Sequence, residues 1–267
     1  MANRLQQATQ NGGLRLLYQP KYHLQSQQIV GAEALLRWMD DELGAVSPDE
    51  FIPIAEQTGV ITLLNEWVLE QAIRDQILWR RAGIDISVSI NVSGIDVLKQ
   101  EFMDELLRQM TLSALPMEAL VIEVTETAMM ADANAARDNL KRIEAAGIRV
   151  SIDDYGTGFS SLAQLRSLPV RELKLDRSLV ENIDQEPGDR LIVKSTIDMA
   201  HLLGLSVVAE GVETNEILAE LYKLDCDGIQ GYLPSKPVAL DVLTAIMRSD
   251  KHVTSGLQNA LNTVHAA

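Results

Sequence analysis

The chain has 267 residues, of which 46% are hydrophobic and 23% are charged, and its formal net charge is −15. This composition is typical of a folded globular protein, and the length suits one α/β barrel or two smaller domains. Binding to polymer phosphates needs clustered Lys and Arg residues, and the negative net charge argues against them. We therefore expect no nucleic-acid polymer as a partner. A small anionic substrate stays compatible, because bound divalent cations reverse the local potential of an acidic cleft.

Cysteine content and hydropathy indicate a cytoplasmic location. Cys226 is the single cysteine, so neither an intrachain disulfide nor a thiolate metal cluster can form. No run approaches the roughly 20 apolar residues that cross a bilayer. We therefore expect no membrane contact by this segment, which would be cytosolic even if it belonged to a membrane-anchored protein.

Short β-rich runs alternate with longer segments of helical period along the chain. The strand candidates are 15–20, 29–38, 86–93, 120–126, 149–156, 172–178, 205–213 and 227–233. The helix candidates are 48–57, 62–82, 96–110, 132–146, 189–203 and 214–223. Eight strands in such alternation predict an α/β protein with a (β/α)8, TIM-like barrel.

The first two strand candidates lie unusually close together in the sequence. Residues 21–28 between them are too few for a helical crossover, so we expect an antiparallel hairpin and hence a reversed first strand. No linker-like tract divides the rest of the chain. We predict one barrel domain over 14–250, with 1–13 as a linker remnant or an artificial end and 251–267 as a polar C-terminal tail.

Polar side chains occur at or near the carboxyl ends of successive strand candidates. They are Glu33, Asn91, Glu123, Asp153, Asp154, Lys174, Glu210 and Gln230. These ends converge on one face of a barrel, where active sites are built from separate strands. Carboxylate and amide oxygens, with no His or Cys among them, suit Mg²⁺ or Mn²⁺.

The adjacent acids Asp153 and Asp154 indicate two ions that share a ligand, because neighbouring carboxylates stay ionised cheaply only beside cations. Paired metals serve phosphoryl chemistry by activating a water and neutralising the developing charge. Lys174 would position that water or stabilise the phosphate, and Glu210 would act as the base.

Each of these residues also has a structural interpretation. Glu33 alone would more often be a surface or ion-paired residue, and Asn91 would cap the turn before residue 94. Lys174 would pair with Asp176, and Glu210 would cap the next helix. These alternatives stay open residue by residue, although together they require a coincidence at strand after strand.

Seven motifs in order resemble the EAL-domain family of bacterial cyclic di-GMP phosphodiesterases, over about residues 14–248. They are EALLRW (33–38), INVS (90–93), IEVTE (122–126), DDYGTGFSS (153–161), LKLD (173–176), AEGVE (209–213) and QGYLPSKP (230–237). The resemblance implies a barrel with a reversed first strand. It also implies hydrolysis of cyclic di-GMP to linear 5′-pGpG by a water that two Mg²⁺ or Mn²⁺ ions activate, with Ca²⁺ inhibitory.

The resemblance also implies a role for individual residues. Glu33, Asn91, Glu123 and Asp153 would hold the first ion, and Asp153 and Asp154 the second. Glu210 and Lys174 would be catalytic, and Gln19, Leu35, Arg37 and Gln230 would bind substrate. Glu126 and Glu213 would support loops.

One position departs from the family pattern: Pro234 stands where an aromatic residue usually follows QGYL. The change affects the rim near a guanine base and no metal ligand, so an active enzyme is expected. The alternative is a catalytically weak cyclic di-GMP receptor or effector domain. A third interpretation, an enolase-like barrel with Lys174 as the base, lacks the sequence for a capping domain.

The resemblance further implies a homodimer. It also implies attachment to sensory, receiver or GGDEF modules in a longer protein.

Overall fold

A computed structural model describes residues 1–126, 133–157 and 165–249. The strands are β1 (Leu14–His23), β2 (Gln28–Asp40), β3 (Gly44–Val46), β4 (Ser87–Asn91), β5 (Leu120–Thr125), β6 (Arg149–Tyr155), β7 (Glu172–Leu175), β8 (Ser206–Ala209) and β9 (Gly228–Ile229). Apart from the short β3, they match the eight strand candidates of the sequence.

Helices cover the outside of the strands. Among the described residues they are α1 (Ala2–Asn11), α2 (Pro48–Thr58), α3 (Ile61–Arg81), α4 (Gly94–Val97), α5 (Gln100–Ser113), α6 (Ala133–Ala146), α7 (Arg177–Val180), α8 (Pro187–Leu202), α9 (Asn215–Lys223) and α10 (Leu240–Arg248), with a 3₁₀ turn at Met117–Ala119. The segment predicted as one helix over 96–110 is divided into α4 and α5, because Ser93 caps a separate short turn by accepting from Asp96 N.

Eight strands close into a barrel. The order is β1-β9-β8-β7-β6-β5-β4-β2, and β1 pairs with β2 to complete the ring. Strand β3 pairs antiparallel with the carboxyl end of β2, at Trp38–Asp40. Strand β1 is antiparallel to both of its neighbours, and the other barrel strands are parallel. The predicted barrel with a reversed first strand is confirmed, and the short 24–27 connection is its physical cause.

Helix α2 shows how local sequence sets the element bounds. Pro48 occupies the first turn, where its missing N–H costs nothing, and Asp49 and Glu50 place negative charge at the positive end of the helix dipole. Gly59 ends the helix in the left-handed region with φ 76°, a conformation that favours glycine. The helix therefore follows β3 at a fixed point and covers the end of β2.

Helix α1 was not predicted, because its sequence is mostly polar. Its Leu5 is fully buried in a small second core that includes Trp38, Val46 and Phe51. Arg4 pairs with Asp40 beyond the end of this core. Residues 2–11 therefore pack against the barrel, while the domain bounds stay a prediction and the predicted tail, 251–267, lies outside the described residues.

Replacing Leu5 with alanine tests the contribution of α1 to stability. We expect the free energy of unfolding to fall by about 2–5 kcal/mol, the usual cost of a large-to-small change in a core. Denaturant unfolding measures this, with Leu112→Ala as the control, since Leu112 is 71% exposed. If the two variants unfold at the same denaturant concentration, α1 adds no packing energy to the barrel.

Candidate active site

The barrel brings one polar side chain from each strand, or from the residue that follows it, to a single mouth. They are Gln19 (β1), Glu33 (β2), Asn91 (β4), Glu123 (β5), Asp153 (β6), Lys174 (β7), Glu210 (after β8) and Gln230 (after β9). Parallel strands place their carboxyl ends on the same face of the barrel. Gln19 reaches that face from the reversed strand because it pairs with Glu33.

Lys174 lies at the centre of this group with 1% of its surface exposed. Its Nζ is within 3.4 Å of four carboxylates: Glu123 Oε2 at 2.7 Å, Glu210 Oε1 at 2.7 Å, Asp153 Oδ1 at 2.9 Å and Glu33 Oε2 at 3.4 Å. Burial disfavours the ammonium ion, but the four carboxylates outweigh it and hold the pKa of Lys174 well above its ordinary value. Lys174 therefore stays charged among the acids.

The acids around Lys174 are not equivalent. Burial, together with neighbouring carboxylates, raises the pKa of Glu33 and Asp153 and raises that of Glu210 to about 8. Burial also acts to raise the pKa of Glu123, but the ammonium groups of Lys174 and Lys21 outweigh it and bring that pKa to about 2. Of these four acids, Glu123 is the one that contacts both lysines and the one whose pKa is lowered.

The donor chemistry fits divalent cations. Oxygen atoms of Glu33, Glu123 and Asp153 lie within 4.8 Å of one another, and so do those of Asp153, Asp154 and Glu210. Asp153 belongs to both groups, as expected for a ligand that two ions share. Only oxygen is offered, which Mg²⁺ and Mn²⁺ prefer. Bound cations would favour the ionised form of these buried carboxylates.

Amide side chains fix the position of Glu33. Asn91 Nδ2 donates to Glu33 Oε1 at 2.7 Å, and Gln230 Nε2 donates to Glu33 Oε2 at 2.6 Å. Gln230 Nε2 also reaches Gln19 Oε1 at 3.1 Å, and Gln19 in turn donates to the carbonyl oxygen of Ser235. The Oε1 atom of Gln230 is buried with no hydrogen-bond partner among the described residues.

A cavity of about 290 Å³ opens above these acids. Leu35, Arg177, Glu213, Gln230 and Tyr232 line it, together with Glu33, Asp153 and Glu210 at its floor. A second cavity of about 510 Å³ lies on the other side of the mouth and shares Asn91 and Glu123 with the site. The acids therefore lie between two open spaces, as an extended substrate would require.

The observed caps exclude the structural alternatives for Asn91, Lys174 and Glu210, whereas Glu33 does form an ion pair, with Lys174. Ser93 caps α4, and Thr214 caps α9 by accepting from Ile217 N, so neither Asn91 nor Glu210 performs that task. Asp176 caps α7 by accepting from Ser178 N. Lys174 pairs instead with the carboxylates of the mouth.

Three predicted residues lie further from the centre. Arg37 donates from Nη1 to the carbonyl oxygen of Leu36 at 2.8 Å and is outside the lining of the 290 Å³ cavity. Glu126 Oε2 accepts from Gly156 N at 3.2 Å, in the loop after β6, much of which lies outside the described residues. Glu213 is paired with Arg177 at 2.9 Å on the cavity rim.

Sequence reasoning missed Lys21, Arg177 and Tyr232. Lys21 is buried below the mouth, with Nζ 2.6 Å from Glu123 Oε1. The signal in the sequence was the alternation along β1, which places Lys21 on the same strand face as Gln19. Arg177 and Tyr232 each follow a strand whose end already carried a predicted site residue.

The topology and the buried carboxylates around Lys174 place the chain among α/β barrels with an acidic cluster that could hold a metal ion. The family model described as the EAL domain matches residues 2–237. The chain belongs to the EAL domain family, which confirms the resemblance read from the motifs.

Two curated relatives come from Pseudomonas aeruginosa. The chain is 37% identical over 242 residues to the bifunctional diguanylate cyclase/cyclic di-GMP phosphodiesterase MucR, covering 90% of this chain and 35% of that protein. It is 36% identical over 236 residues to the cyclic di-GMP phosphodiesterase PA2567, covering 88% of this chain and 40% of the relative. The chain thus spans little more than a third of the length of these relatives.

Solved structures of EAL proteins superpose closely on the chain. The MucR phosphodiesterase in complex with c-di-GMP matches with a TM-score of 0.86 at 37% identity, over 90% of this chain and 98% of that one. The EAL enzyme Bd1971, with cAMP and cyclic di-GMP bound, matches with a TM-score of 0.87 at 36% identity, over 92% and 68%. None of the helices in the described parts of the chain combines the length and hydropathy needed to cross a bilayer.

Proposed function

We propose that the chain hydrolyses cyclic di-GMP to linear 5′-pGpG and so lowers the level of this second messenger. The observation that carries the proposal is the pair of oxygen clusters that share Asp153 at the floor of an open cavity. The names of MucR and PA2567, and the c-di-GMP bound to the MucR phosphodiesterase, support the choice of substrate.

The two clusters support a ligand set with Glu33, Glu123, Asp153 and Asp154; Asn91 belongs to neither cluster, and Glu210 belongs to the second. Glu33, Asn91, Glu123 and Asp153 would hold one Mg²⁺ or Mn²⁺ ion, and Asp153 and Asp154 would hold a second. Such a pair would supply Lewis acidity toward the phosphodiester and lower the pKa of an attacking water. Asp154 has a left-handed backbone, φ 53°, which turns the chain sharply after Asp153.

Lys174 and Glu210 would handle the water. Lys174 holds Glu210 Oε1 at 2.7 Å and Asp153 Oδ1 at 2.9 Å, so one ammonium fixes both carboxylates in relation to each other. Glu210 would accept the proton that the attacking water loses, and Lys174 would orient that water by hydrogen bonding. Because Lys174 is buried, its charge is weakly screened and acts strongly on any phosphate in the mouth.

Substrate contacts are assigned to the cavity walls. Gln19, Leu35 and Gln230 line the cavity and would touch the nucleotide. Arg37 would bind phosphate by charge-assisted hydrogen bonds after its guanidinium leaves the carbonyl oxygen of Leu36. Glu126 and Glu213 would hold the neighbouring loops through Gly156 and Arg177.

The setting of the domain is part of the same proposal. We expect a cytoplasmic homodimer within a longer signalling protein that carries sensory, receiver or GGDEF modules. The fraction of MucR that the chain covers, 35%, supports a place within a larger chain.

Incubation of the purified chain with cyclic di-GMP and Mg²⁺ or Mn²⁺ tests the activity. We expect chromatography to show linear pGpG, no product when a chelator removes the cations, and little product with Ca²⁺, which is larger and less strict in its geometry. No turnover with any cation, combined with retained nucleotide binding, would support the receptor function instead and contradict the proposal.

A further inference from the structure

A second lysine is buried in the barrel below the candidate active site. Lys21 lies on the reversed strand β1 and is 5% exposed. Its Nζ lies 2.6 Å from Glu123 Oε1 and 2.9 Å from Glu172 Oε1. Burying an ammonium ion costs several kcal/mol unless its partners are well placed. Lys21 takes no part in the chemistry described above, so its position calls for another explanation.

The strand geometry around Lys21 admits its long side chain. Gly31 is the residue paired with Lys21 on β2, and a Cβ built on Gly31 would lie 4.0 Å from Lys21 Cδ and 2.9 Å from Ser87 Oγ. The register shifts directly after this pair, since Tyr22 pairs with Ile29. Such bulges redirect side chains. Lys21 precedes the shift and lies two residues after Gln19, so strand alternation places both side chains on the buried face.

Glu123 is held between two ammonium groups on different oxygens. Lys21 contacts Oε1 at 2.6 Å, and Lys174 contacts Oε2 at 2.7 Å. The last torsion of a glutamate is broad, so a carboxylate held at one oxygen turns easily. With both oxygens engaged, Oε1 is directed toward Lys21 and Oε2 toward the acids of the mouth.

We propose that Lys21 is a positioning residue of the cation site, which fixes the Glu123 carboxylate so that Oε2 faces Glu33 and Asp153. This inference rests on the proposed function, because it assigns Glu123 as a cation ligand. Groups that hold a ligand from behind typically change metal affinity or activity by about 10–100-fold when removed. Lys21 occupies that place for Glu123.

Glu172 offers a competing explanation, in which Lys21 serves only to neutralise it. Glutamine at 172 removes that charge but keeps an oxygen that can accept from Lys21. The contact between Lys21 and Glu123 then persists. Glu172→Gln is therefore the matched control, and we expect it to bind Mn²⁺ within about threefold of the unmodified chain.

Calorimetric titration of the metal-free chain with Mn²⁺, without nucleotide, provides the test. We expect Lys21→Met, which keeps the length of the side chain and removes its charge, to weaken Mn²⁺ binding by about 10–100-fold. Turnover of cyclic di-GMP would fall at low Mn²⁺ and recover in part at high Mn²⁺, with little change in KM for the nucleotide. A purely structural role would not give that dependence on Mn²⁺.

The double variant Lys21→Met/Glu172→Gln provides a second test if Lys21→Met alone fails to fold. It removes one positive and one negative charge, so the net charge is unchanged and less buried charge is left unpaired. Relative to Glu172→Gln, the double variant should lose Mn²⁺ affinity by the same factor as Lys21→Met loses it relative to the unmodified chain. Unchanged or tighter binding in either Lys21 variant, or an equal loss in Glu172→Gln alone, would overturn the inference.

The same titrations separate this inference from the proposed function. If the unmodified chain binds Mn²⁺ but does not cleave cyclic di-GMP, the proposed reaction fails and the Lys21 variants still decide the role of Lys21. If it cleaves the nucleotide and Lys21→Met binds Mn²⁺ equally well, only the role of Lys21 fails. If the unmodified chain binds neither Mn²⁺ nor Mg²⁺, both are wrong.

Discussion

Asparagine at position 153 is expected to lower the turnover of cyclic di-GMP by on the order of 10³-fold, the upper end of the loss when one electrostatic group leaves an active site. Asp153 is the residue common to both oxygen clusters, so the change weakens both cation sites at once. Asparagine keeps the size of the side chain and removes only the charge and one carboxylate oxygen. Steady-state assays at saturating Mn²⁺ measure the effect.

Two comparisons make the Asp153 experiment specific. Asp154 belongs to one cluster only, so Asp154→Asn should cost less than Asp153→Asn. Asp198 is an exposed acid on α8 paired with Lys194, and Asp198→Asn should leave turnover unchanged. Equal losses at 153 and 154 would contradict a shared ligand, and full activity of Asp153→Asn would contradict the assignment of the site.

Methionine in place of Lys174 is expected to destabilise the fold as well as stop the reaction. Four carboxylates within 3.4 Å would lose their ammonium partner. Breaking a buried charge pair from one side costs about 3–5 kcal/mol. Denaturant unfolding in the presence of a chelator measures this loss, and we expect turnover to fall by about 10²–10³-fold.

Lys194→Met is the control for the Lys174 experiment. Lys194 pairs with Asp198 on the surface of α8, and an exposed pair one helical turn apart contributes only about 0.3–0.5 kcal/mol. Added Mn²⁺ should stabilise Lys174→Met, because a divalent cation would neutralise the same acids. If Lys174→Met and the unmodified chain unfolded at the same denaturant concentration, the charge balance described for the mouth would be wrong.

The sequence predicted the barrel and the members of its mouth for a clear physical reason. Buried parallel strands are apolar along their length, so a charged residue such as Glu33 or Lys174 at a strand end stands out. The hairpin of β1 and β2 followed from chain length alone. The bounds of α2, α3, α6 and α9 agreed with the sequence expectation to within about two residues, because glycines and capping residues mark helix ends.

Other features required the folded chain. Helix α1 has few apolar residues, so its burial depends on the complementary surface of Trp38 and Phe51. Alternation along β1 places Lys21 on the same face as Gln19, but closure of the barrel is what makes that face interior. The orientation of Arg37 depends on a torsion that no pattern encodes. The loop 158–161 of the DDYGTGFSS motif lies outside the described residues.

The reversal of β1 also decides where the polypeptide joins the barrel. Leu14, at the start of β1, pairs with Trp38 near the carboxyl end of β2, so the chain enters beside the open mouth rather than at the closed base. In a barrel whose strands are all parallel, the first strand would begin at the other end of the barrel, away from the site. Any upstream module would consequently be joined to the barrel through α1, which packs against Trp38 at the same end as the site.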